Sequence, residues 1–320
     1  MNIGIVGLGY LGKIHLKLLS ENSSFKITGI FDIDMDLTRQ LSQQYQLNAC
    51  DNYSNLLELC DAVCIVTPTP SHFELASLAI KNGKNVFIEK PATDDLNDTK
   101  KLISLAEVTG VVVQIGYVER FNPAFIAAKP FIHNPLSFDI HRLACYNVRG
   151  TDVSVVLDLM IHDIDLLMSV VKSKIKHISA TGSSVISTKT DKVNARIEFE
   201  NGCVANLSAN RVALNNVRKM DIFQKKNHIL IDLLNKTTTI NHIEPIDQNT
   251  QNKGTLINQE FDKQPCQIIQ TEPINALKAE MDCFYNSITQ KTPVAVSLID
   301  AESALFIAQE IENQITKSIN

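Results

Sequence analysis

The chain has 320 residues, of which 44% are hydrophobic and 20% are charged, and its formal net charge is −5 at pH 7. A chain of this length is usually divided into two domains, and the composition is typical of a globular protein. The negative net charge argues against nucleic acid or an anionic membrane surface as the main partner.

Residues 2–116 alternate short apolar strands with helical patterns, which is typical of a parallel, doubly wound α/β sheet. The predicted strands are Ile3–Val6, Ile27–Phe31, Ala62–Val66, Asn85–Ile88 and Val111–Ile115. The predicted helices are Leu11–Leu19, Met35–Tyr45, His72–Lys81 and Asp95–Val108. Gly83 and Gly110 stand where two of these helices should end.

The turn after the first predicted strand reads GLGYLG over residues 7–12. Gly7 permits a tight turn, Gly9 lets the backbone approach a pyrophosphate, and Gly12 allows the helix to pack closely on the strand. The helix that follows offers backbone N–H groups and a positive dipole end to the phosphates. We therefore predict a Rossmann domain over residues 1–117, in which Gly7, Gly9, Tyr10, Leu11 and Gly12 contact a dinucleotide.

Asp32 ends the second predicted strand, 20 residues after Gly12. There its carboxylate is placed to accept hydrogen bonds from both ribose hydroxyls of adenosine. A carboxylate at this position repels a 2′-phosphate, and no arginine follows to bind one, so the sequence favours NAD over NADP. The alternative role for Asp32 is to cap the helix Met35–Tyr45, although Asp34 is better placed for it.

Two further strand ends carry reactive or turn-forming groups, and ligands of such sheets bind outside the carboxyl ends of the strands. The third predicted strand leads into TPTPSH at residues 67–72, where proline fixes the chain as it crosses the cofactor. Ser71 could instead simply cap the next helix.

The fourth strand ends in EKP at residues 89–91. The Lys90 amine could polarise a substrate oxygen or donate a proton, and a surface salt bridge is the alternative.

Residues Val155–Leu167 predict an almost wholly apolar helix that nevertheless contains Asp158, His162, Asp163 and Asp165. At about 100° per residue, positions 158, 162 and 165 fall within roughly 60° on one face, and Asp163 lies off it. Because buried charge is costly unless it is paired or used, this stripe indicates a proton-handling site. The alternatives are a histidine satisfied within the core and a metal site, and no cysteine or second histidine at ligand spacing supports the metal.

Three motifs together resemble the Gfo/Idh/MocA oxidoreductases: GLGYLG, VTPTPSHFELASLAIKNGKNVFIEKP (66–91) and DLMIHDID (158–165). The resemblance is marked over residues 1–210 and looser beyond. It implies that Lys90 contacts the substrate hydroxyl and the nicotinamide, and that His162 is the general base of an Asp-x-x-x-His pair with Asp158. It also implies that cofactor-lining positions are occupied by Thr67, Pro68, His72 and Glu89. The chain departs from the family before the helix, where RGTDVS (149–154) replaces a common glycine-rich run.

Further segments resemble the branch of sugar-nucleotide dehydrogenases related to UDP-N-acetylglucosamine 3-dehydrogenase. These segments are GYVERFNPA (116–124), HRLA (141–144) and NVRGTD (147–152). The resemblance implies oxidation of the sugar at C3 to a 3-keto product.

Several residues are candidates for binding the substrate. Arg120, Arg142 and Arg149 could bind a carboxylate or diphosphate through forked hydrogen bonds, and ordinary salt bridges are the alternative for each. Tyr117 and Asp165 are the other candidates for substrate contact. Asp165 could instead support the helix by capping a backbone group or pairing with an arginine.

The remaining residues, 118–320, predict one α+β domain that binds the substrate. Its strands are expected at Ile178–Ser187, Val193–Glu200, Val204–Asn210, Asp221–Gln224 and Ile229–Leu233. Turns such as Asn201-Gly202 predict antiparallel hairpins in a large, open, mainly antiparallel sheet. One face should cover the helix, and the other is expected to join subunits into a homodimer or homotetramer, since the family is typically oligomeric.

The C-terminal part continues with a polar segment and two helices. Glu244–Gln270 is predicted to be a surface loop. Helices are predicted at Pro273–Ile288 and Leu298–Ile315, and the last could pack back against the first domain.

The seven cysteines are scattered, and several lie in apolar runs, which predicts free core thiols in a reducing compartment. The N-terminal residues lack the pattern of a signal peptide, and no apolar run is long enough to span a membrane. We therefore expect a cytoplasmic protein with no membrane partner.

The residues and the resemblance together predict NAD-dependent oxidation of a secondary hydroxyl on a sugar or sugar nucleotide. His162 would take the hydroxyl proton, Asp158 would orient the imidazole, and Lys90 would stabilise the developing alkoxide. The alternatives are a dehydrogenase of a free polyol such as inositol and a non-catalytic NAD-binding sensor. A self-recycling periplasmic enzyme that retains NADP is a third, against which Asp32 and the absence of an export signal count.

Overall fold

The computed structural model describes residues 1–147, 153–243, 266–269 and 274–319, which form two compact units. Unit 1 comprises Met1–Phe121 and Asn275–Phe306, and unit 2 comprises Asn122–Ile274 and Ile307–Asn320. The sequence predicted a single boundary, after residue 117. The structure differs because residues 118–121 and 275–306 cluster with the first unit instead of the second.

The sheet of unit 1 has five parallel strands in the order β2-β1-β3-β4-β5. They are β1 (Asn2–Val6), β2 (Lys26–Phe31), β3 (Ala62–Ile65), β4 (Asn85–Glu89) and β5 (Val113–Gly116). Pairing of Val6 with Ile65, and of Ile65 with Ile88, brings the carboxyl ends of three neighbouring strands to one edge. The predicted doubly wound parallel sheet is therefore confirmed.

The helices between these strands are α1 (Tyr10–Ser20), α2 (Met35–Tyr45), α3 (Tyr53–Glu58), α4 (His72–Lys81) and α5 (Leu96–Thr109). Both α2 and α4 have the predicted bounds. The Asp34 carboxylate caps α2 by accepting a hydrogen bond from Leu37 N at 3.0 Å. Helix α5 ends at Gly110, whose φ of 71° is left-handed. The six-residue α3 was not predicted, because it is too short to show a helical period.

In the described part of unit 2, eight strands form one sheet in the order β13-β12-β11-β10-β6-β9-β8-β7. They are β6 (Ser137–Cys145), β7 (Ile175–Ser183), β8 (Lys192–Phe199), β9 (Val204–Ala213), β10 (Val217–Gln224), β11 (Asn227–Asp232), β12 (Thr237–His242) and β13 (Cys266–Ile269). Neighbouring strands are antiparallel except β6 and β9. The predicted open, mainly antiparallel sheet is confirmed.

Three of these strands, β6, β12 and β13, were not predicted. In β6 the inward positions are Phe138, Ile140 and Arg142, all buried, so a charged residue interrupts the apolar alternation. The predicted surface loop Glu244–Gln270 lies outside the described residues, apart from the four residues of β13.

The sheet of unit 2 has one apolar face and one polar face. Along β8, Val193 and Ile197 are buried whereas Asn194 and Arg196 are exposed. On the polar face, Arg196 donates to Asn206 at 3.0 Å, and Asn206 donates to Asp139 at 2.8 Å. Side-chain period and burial therefore agree with a sheet that is covered on one side.

The helices of unit 2 include α6 (Pro123–Ala128) and α7 (Ile161–Val170). Helix α7 directly follows a π-helix at Val156–Met160, where the sequence predicted one continuous α-helix. A π-helix turns less per residue than an α-helix. The uniform 100° spacing that placed positions 158, 162 and 165 on one face was therefore wrong across this junction.

The last two helices are α8 (Ala276–Thr289) and α9 (Leu298–Ile319). Helix α8 belongs to the core of unit 1, where Met281 and Phe284 are fully buried. The ring centroid of Phe284 lies 6.0 Å from that of Phe87, and the Gln114 side chain donates to the Glu280 carbonyl at 2.8 Å. Residues Leu298–Phe306 of α9 also cluster with unit 1. Pro273, the predicted start of α8, lies outside the described residues.

No helix in the described ranges is long and apolar enough to cross a membrane. Cys50, Cys60, Cys64 and Cys203 are buried and form no disulfide. Burial raises the pKa of Cys60 and of Cys203 to about 11, so both thiols are neutral near pH 7.

Candidate active site

The turn between β1 and α1 is shaped to receive a phosphate group. Gly7 has a φ of +89°, and a Cβ there would lie 2.6 Å from the Val66 carbonyl. A Cβ at Gly12 would overlap the carbonyl oxygen of Gly7, whereas a Cβ at Gly9 would meet no atom within 4 Å. The open space beside Gly9 therefore lies where a ligand phosphate would approach the backbone, and the exposed side chains of Tyr10 and Leu11 follow it.

Asp32 lies beside this turn at the end of β2. Its Oδ2 accepts a hydrogen bond from the Leu8 N–H at 2.6 Å, and its Oδ1 accepts one from the Asp34 N–H at 2.9 Å. The capping of α2 is performed by Asp34, which removes the alternative role for Asp32. The Asp32 carboxylate thus stands at the carboxyl edge of the sheet, in the position expected for a ribose partner.

The segment after β3 is held by hydrogen bonds among its own residues. The Ser71 hydroxyl lies 2.7 Å from Thr67 Oγ1 and 2.8 Å from the Pro68 carbonyl, and it makes no capping bond to α4. His72 is 1% exposed, with one ring nitrogen 2.8 Å from the Thr67 carbonyl and the other 2.9 Å from the Pro91 carbonyl. His72 therefore ties the backbone after β3 to the backbone after β4.

Lys90 follows β4 and is half-buried. The residue before it, Glu89, is buried and accepts the Lys90 backbone N–H through Oε2 at 3.2 Å. The other oxygen of Glu89, Oε1, lies 2.7 Å from Nε2 of His15 on α1. The backbone that carries Lys90 is therefore bound on one side through Glu89 and on the other through His72.

Two predicted substrate residues follow β5. Tyr117 is fully buried. Arg120 donates to Asp300 at 3.4 Å within unit 1. Burial alone would raise the pKa of Asp300, but the Ser297 hydroxyl and N–H, together with Arg120, lower it. For Arg120 the structure thus contains the salt bridge that the sequence left open as the alternative.

In unit 2 the charged residues of the helical stripe separate into two pairs. Asp158 in the π-helix and His162 in α7 are half-buried, whereas Asp163 and Asp165 are 2% and 1% exposed. The two residues that the sequence assigned to catalysis are therefore the accessible ones. The burial of Asp165 favours the supporting role over contact with substrate.

Asp163 binds Arg142 of β6 in a buried ion pair. Arg142 Nε lies 2.9 Å from Oδ2 and Nη2 lies 2.7 Å from Oδ1, which is a forked arrangement. Arg142 was a candidate for binding the substrate diphosphate. The structure favours the salt-bridge alternative, because Arg142 is only 3% exposed. Arg149, the third arginine candidate, lies outside the described residues.

A second buried ion pair, between Asp191 and Arg211, was not found from the sequence. Asp191 accepts the backbone N–H groups of residues 185–187 and Nε of Arg211, and Arg211 Nη2 donates to the carbonyls of Val153 and Thr190 at 2.6 and 2.8 Å. Burial alone would raise the pKa of Asp191, but hydrogen bonds from the Ser187 hydroxyl and the backbone hold it well below its usual range. The pair fixes the chain just before the π-helix. No sequence signal marked it, since a polar turn and one strand arginine look like surface residues.

Among the described residues, no group of three or more His, Cys, Asp or Glu side chains is arranged to hold a metal ion.

Comparison with known proteins agrees with this geometry. Residues 1–117 match the family model described as "Oxidoreductase family, NAD-binding Rossmann fold", and residues 141–229 match the GFO/IDH/MocA C-terminal domain. The chain belongs to the GFO/IDH/MocA family. It is an oxidoreductase whose N-terminal residues form an NAD-binding Rossmann domain, so the family, the enzyme class and the cofactor predicted from the motifs are confirmed.

Individual members of the GFO/IDH/MocA family are similar over nearly the whole chain. A UDP-N-acetylglucosamine 3-dehydrogenase from Acidithiobacillus ferrooxidans is 30% identical over 97% of this chain and 96% of the relative. The solved structure of that enzyme superposes with a TM-score of 0.90 at 28% identity, covering 100% of this chain and 99% of the other. A myo-inositol 2-dehydrogenase from Thermotoga maritima is 23% identical over 96% of this chain and 94% of the relative.

Proposed function

We propose that this GFO/IDH/MocA oxidoreductase oxidises one secondary hydroxyl of a sugar nucleotide, namely the C3 hydroxyl of UDP-N-acetylglucosamine, to a ketone. The similarity to the Acidithiobacillus ferrooxidans enzyme over nearly the full length of both chains carries the choice of substrate. The accessible pair Asp158 and His162, with Lys90 at the carboxyl edge of the parallel sheet, supports the reaction.

The glycine turn and Asp32 are the residues that would hold the cofactor. The open backbone at Gly9 and the N-terminus of α1 would bind the pyrophosphate, and the Asp32 carboxylate would accept the adenosine ribose hydroxyls. When bound, NAD supplies the hydride acceptor for the oxidised carbon.

His162 acts as the general base in this proposal. A neutral imidazole takes the hydroxyl proton near pH 7, because its ordinary pKa lies close to that value. Asp158, four residues earlier in the chain, orients the ring and stabilises its cationic form. Their partial exposure lets both side chains meet a substrate, which the buried Asp163 and Asp165 do not allow.

Lys90 stabilises the negative charge that develops on the hydroxyl oxygen. A preorganised cation at such an oxygen is the largest contribution that sites of this kind usually make. Its backbone is held by Glu89 and, through Pro91, by His72, so the ammonium group starts from a fixed position.

The proposal is tested by incubating the protein and NAD with UDP-, GDP- and dTDP-sugars and with free polyols, and following the absorbance of NADH. We expect turnover of UDP-N-acetylglucosamine, with a product that a 3-aminotransferase converts to the 3-amino sugar. A response to free inositol alone would overturn the sugar-nucleotide substrate. Binding of NAD without turnover of any compound would favour a sensor.

A further inference from the structure

A group of buried polar side chains lies in the core of unit 1, behind the end of β4. His15 on α1 is fully buried, and its Nε2 lies 2.7 Å from Oε1 of Glu89. On the other side of the ring, Nδ1 lies 3.7 Å from Sγ of Cys64 on β3. Because a buried ionisable pair costs desolvation energy, apolar residues at both positions 15 and 89 would serve a purely structural core equally well.

The Glu89 carboxylate is confined by three separate elements. Its Oε1 faces His15 of α1, and its Oε2 accepts the backbone N–H of Lys90 at 3.2 Å. On β5, Gly116 leaves the space that the carboxylate fills, since a Cβ there would lie 3.0 Å from Cδ and Oε2 of Glu89. A single side chain, that of Glu89, therefore connects His15 to the Lys90 backbone.

The neighbours of His15 favour the protonated form of its imidazole. Burial opposes protonation of His15, but Cys64 and Glu89 outweigh it and hold the pKa of His15 well above its usual value. Burial raises the pKa of the Cys64 thiol, whereas the neighbouring His15 lowers it. The buried Glu280 on α8 also raises the Cys64 pKa.

We infer that His15 is a positioning residue for the oxidation: by fixing the Glu89 carboxylate, it fixes the backbone from which Lys90 reaches the reacting hydroxyl. The inference rests on the role proposed above for Lys90. It adds a fully buried core residue that acts through Glu89.

The first test compares kcat with cofactor affinity in His15 variants. For His15→Leu we expect kcat to fall by about 10- to 100-fold, as small misplacements of reacting groups do, while the Kd of NAD changes by less than about threefold. His15→Gln, whose amide can still donate to Oε1, should recover most of the loss. Leu41→Ala on α2 disturbs the same core but changes none of the groups linked to Glu89, so it should lower the melting temperature and leave kcat within about twofold.

The second test is independent of turnover and reads the backbone directly. Hydrogen exchange of the Lys90 amide should become at least about tenfold faster in His15→Leu, because its carboxylate acceptor is no longer held. If His15→Leu does not fold, the shorter His15→Asn, which cannot reach Glu89, replaces it in both measurements.

The outcomes separate this inference from the proposed function. A wild-type protein that oxidises no sugar would contradict the proposed function, and the exchange measurement would still decide the contact. If Lys90 exchange and kcat change no more in His15→Leu than in Leu41→Ala, His15 is a core residue only and the inference is overturned.

Discussion

Arg142 and Asp163 form a buried, forked ion pair that joins strand β6, in the middle of the unit 2 sheet, to the residue next to His162. The two hydrogen bonds measure 2.9 and 2.7 Å, and both residues are almost fully buried. Since His162 precedes Asp163 on the first turn of α7, the pair sets where the proposed base stands over the sheet.

Breaking this ion pair should lower the free energy of unfolding and should not by itself weaken binding of the sugar nucleotide. Asp163→Asn leaves the Arg142 guanidinium buried without its counter-charge, so the free energy of unfolding should fall by about 3 kcal/mol. Urea unfolding followed by circular dichroism measures this. The matched control is Arg39→Met on the exposed side of α2, with an expected change within about 0.5 kcal/mol. A variant Arg142→Met that kept its stability but raised KM for the sugar nucleotide would instead assign Arg142 to the substrate.

Replacing His162, the proposed base, or Lys90, the proposed partner of the alkoxide, should lower kcat strongly and leave NAD binding unchanged. His162→Gln should lower kcat by about 10²- to 10⁴-fold, the usual size of general-base catalysis. Lys90→Met should lower kcat by about 10²- to 10³-fold. Calorimetry should show an unchanged Kd for NAD in both. His177→Gln and Lys81→Met, at exposed positions, are the controls. Full activity of His162→Gln would remove the base from the proposal.

Cofactor choice should depend on Asp32 and on the residue after it. Asp32→Ser removes the charge that repels a 2′-phosphate, and Ile33, which is 93% exposed, can be replaced by arginine without disturbing the core. The double variant Asp32→Ser/Ile33→Arg should weaken NAD binding by roughly 10-fold or more, since hydrogen bonds to a charged group are lost, and should improve NADP binding. Steady-state kinetics with both cofactors measure the ratio. An unchanged preference would show that Asp32 does not contact the ribose.

Acid should destabilise unit 2 through Asp191. The folded pKa of Asp191 lies below its unfolded value, so its contribution is complete above that value and is lost as pH falls towards the folded pKa. The unfolding free energy should therefore begin to drop below about pH 4. In Asp191→Asn this pH dependence should be smaller, and stability at pH 7 should fall by about 3 kcal/mol. Glu200→Gln, at an exposed position, should retain the wild-type pH profile. A profile unchanged by Asp191→Asn would contradict this assignment.

The polar face of the unit 2 sheet is where we expect subunits to meet. Asn194 and Ser208 are cross-strand partners on this face. Light scattering of the wild-type protein should give the mass of a dimer or tetramer, because an open sheet face of this size is a natural contact surface. The double variant Asn194→Glu/Ser208→Glu should give a monomer with an unchanged circular dichroism spectrum. A monomeric wild type would contradict the expectation.

Local patterns were enough to predict the parallel sheet and the cofactor turn. The glycines at 7, 9 and 12 act through backbone geometry within one turn, and Asp32 follows at the end of the adjacent strand. Such features depend on neighbouring residues in the chain or on neighbouring strands, so sequence spacing carries them.

Features that depend on residues far apart in the chain could not be predicted from local sequence patterns. The partner of Arg142 lies 21 residues away on another element, and the π-helix at Val156–Met160 has no distinctive residue pattern. No local pattern marked His15, because its partner Glu89 lies 74 residues further on. A lone buried histidine is a signal that something ionisable faces it, but the sequence does not say what.

Unit 1 is built from two separate stretches of the chain, and this has a consequence for biosynthesis. Its core includes Met281 and Phe284 of α8, so the hydrophobic cluster around Phe87 lacks two of its members until nearly nine-tenths of the chain has left the ribosome. A nascent chain ending near residue 121 would expose the apolar surface that α8 later covers. The NAD-binding unit is therefore completed late in translation, although the residues predicted to contact its cofactor all lie in the first third of the chain.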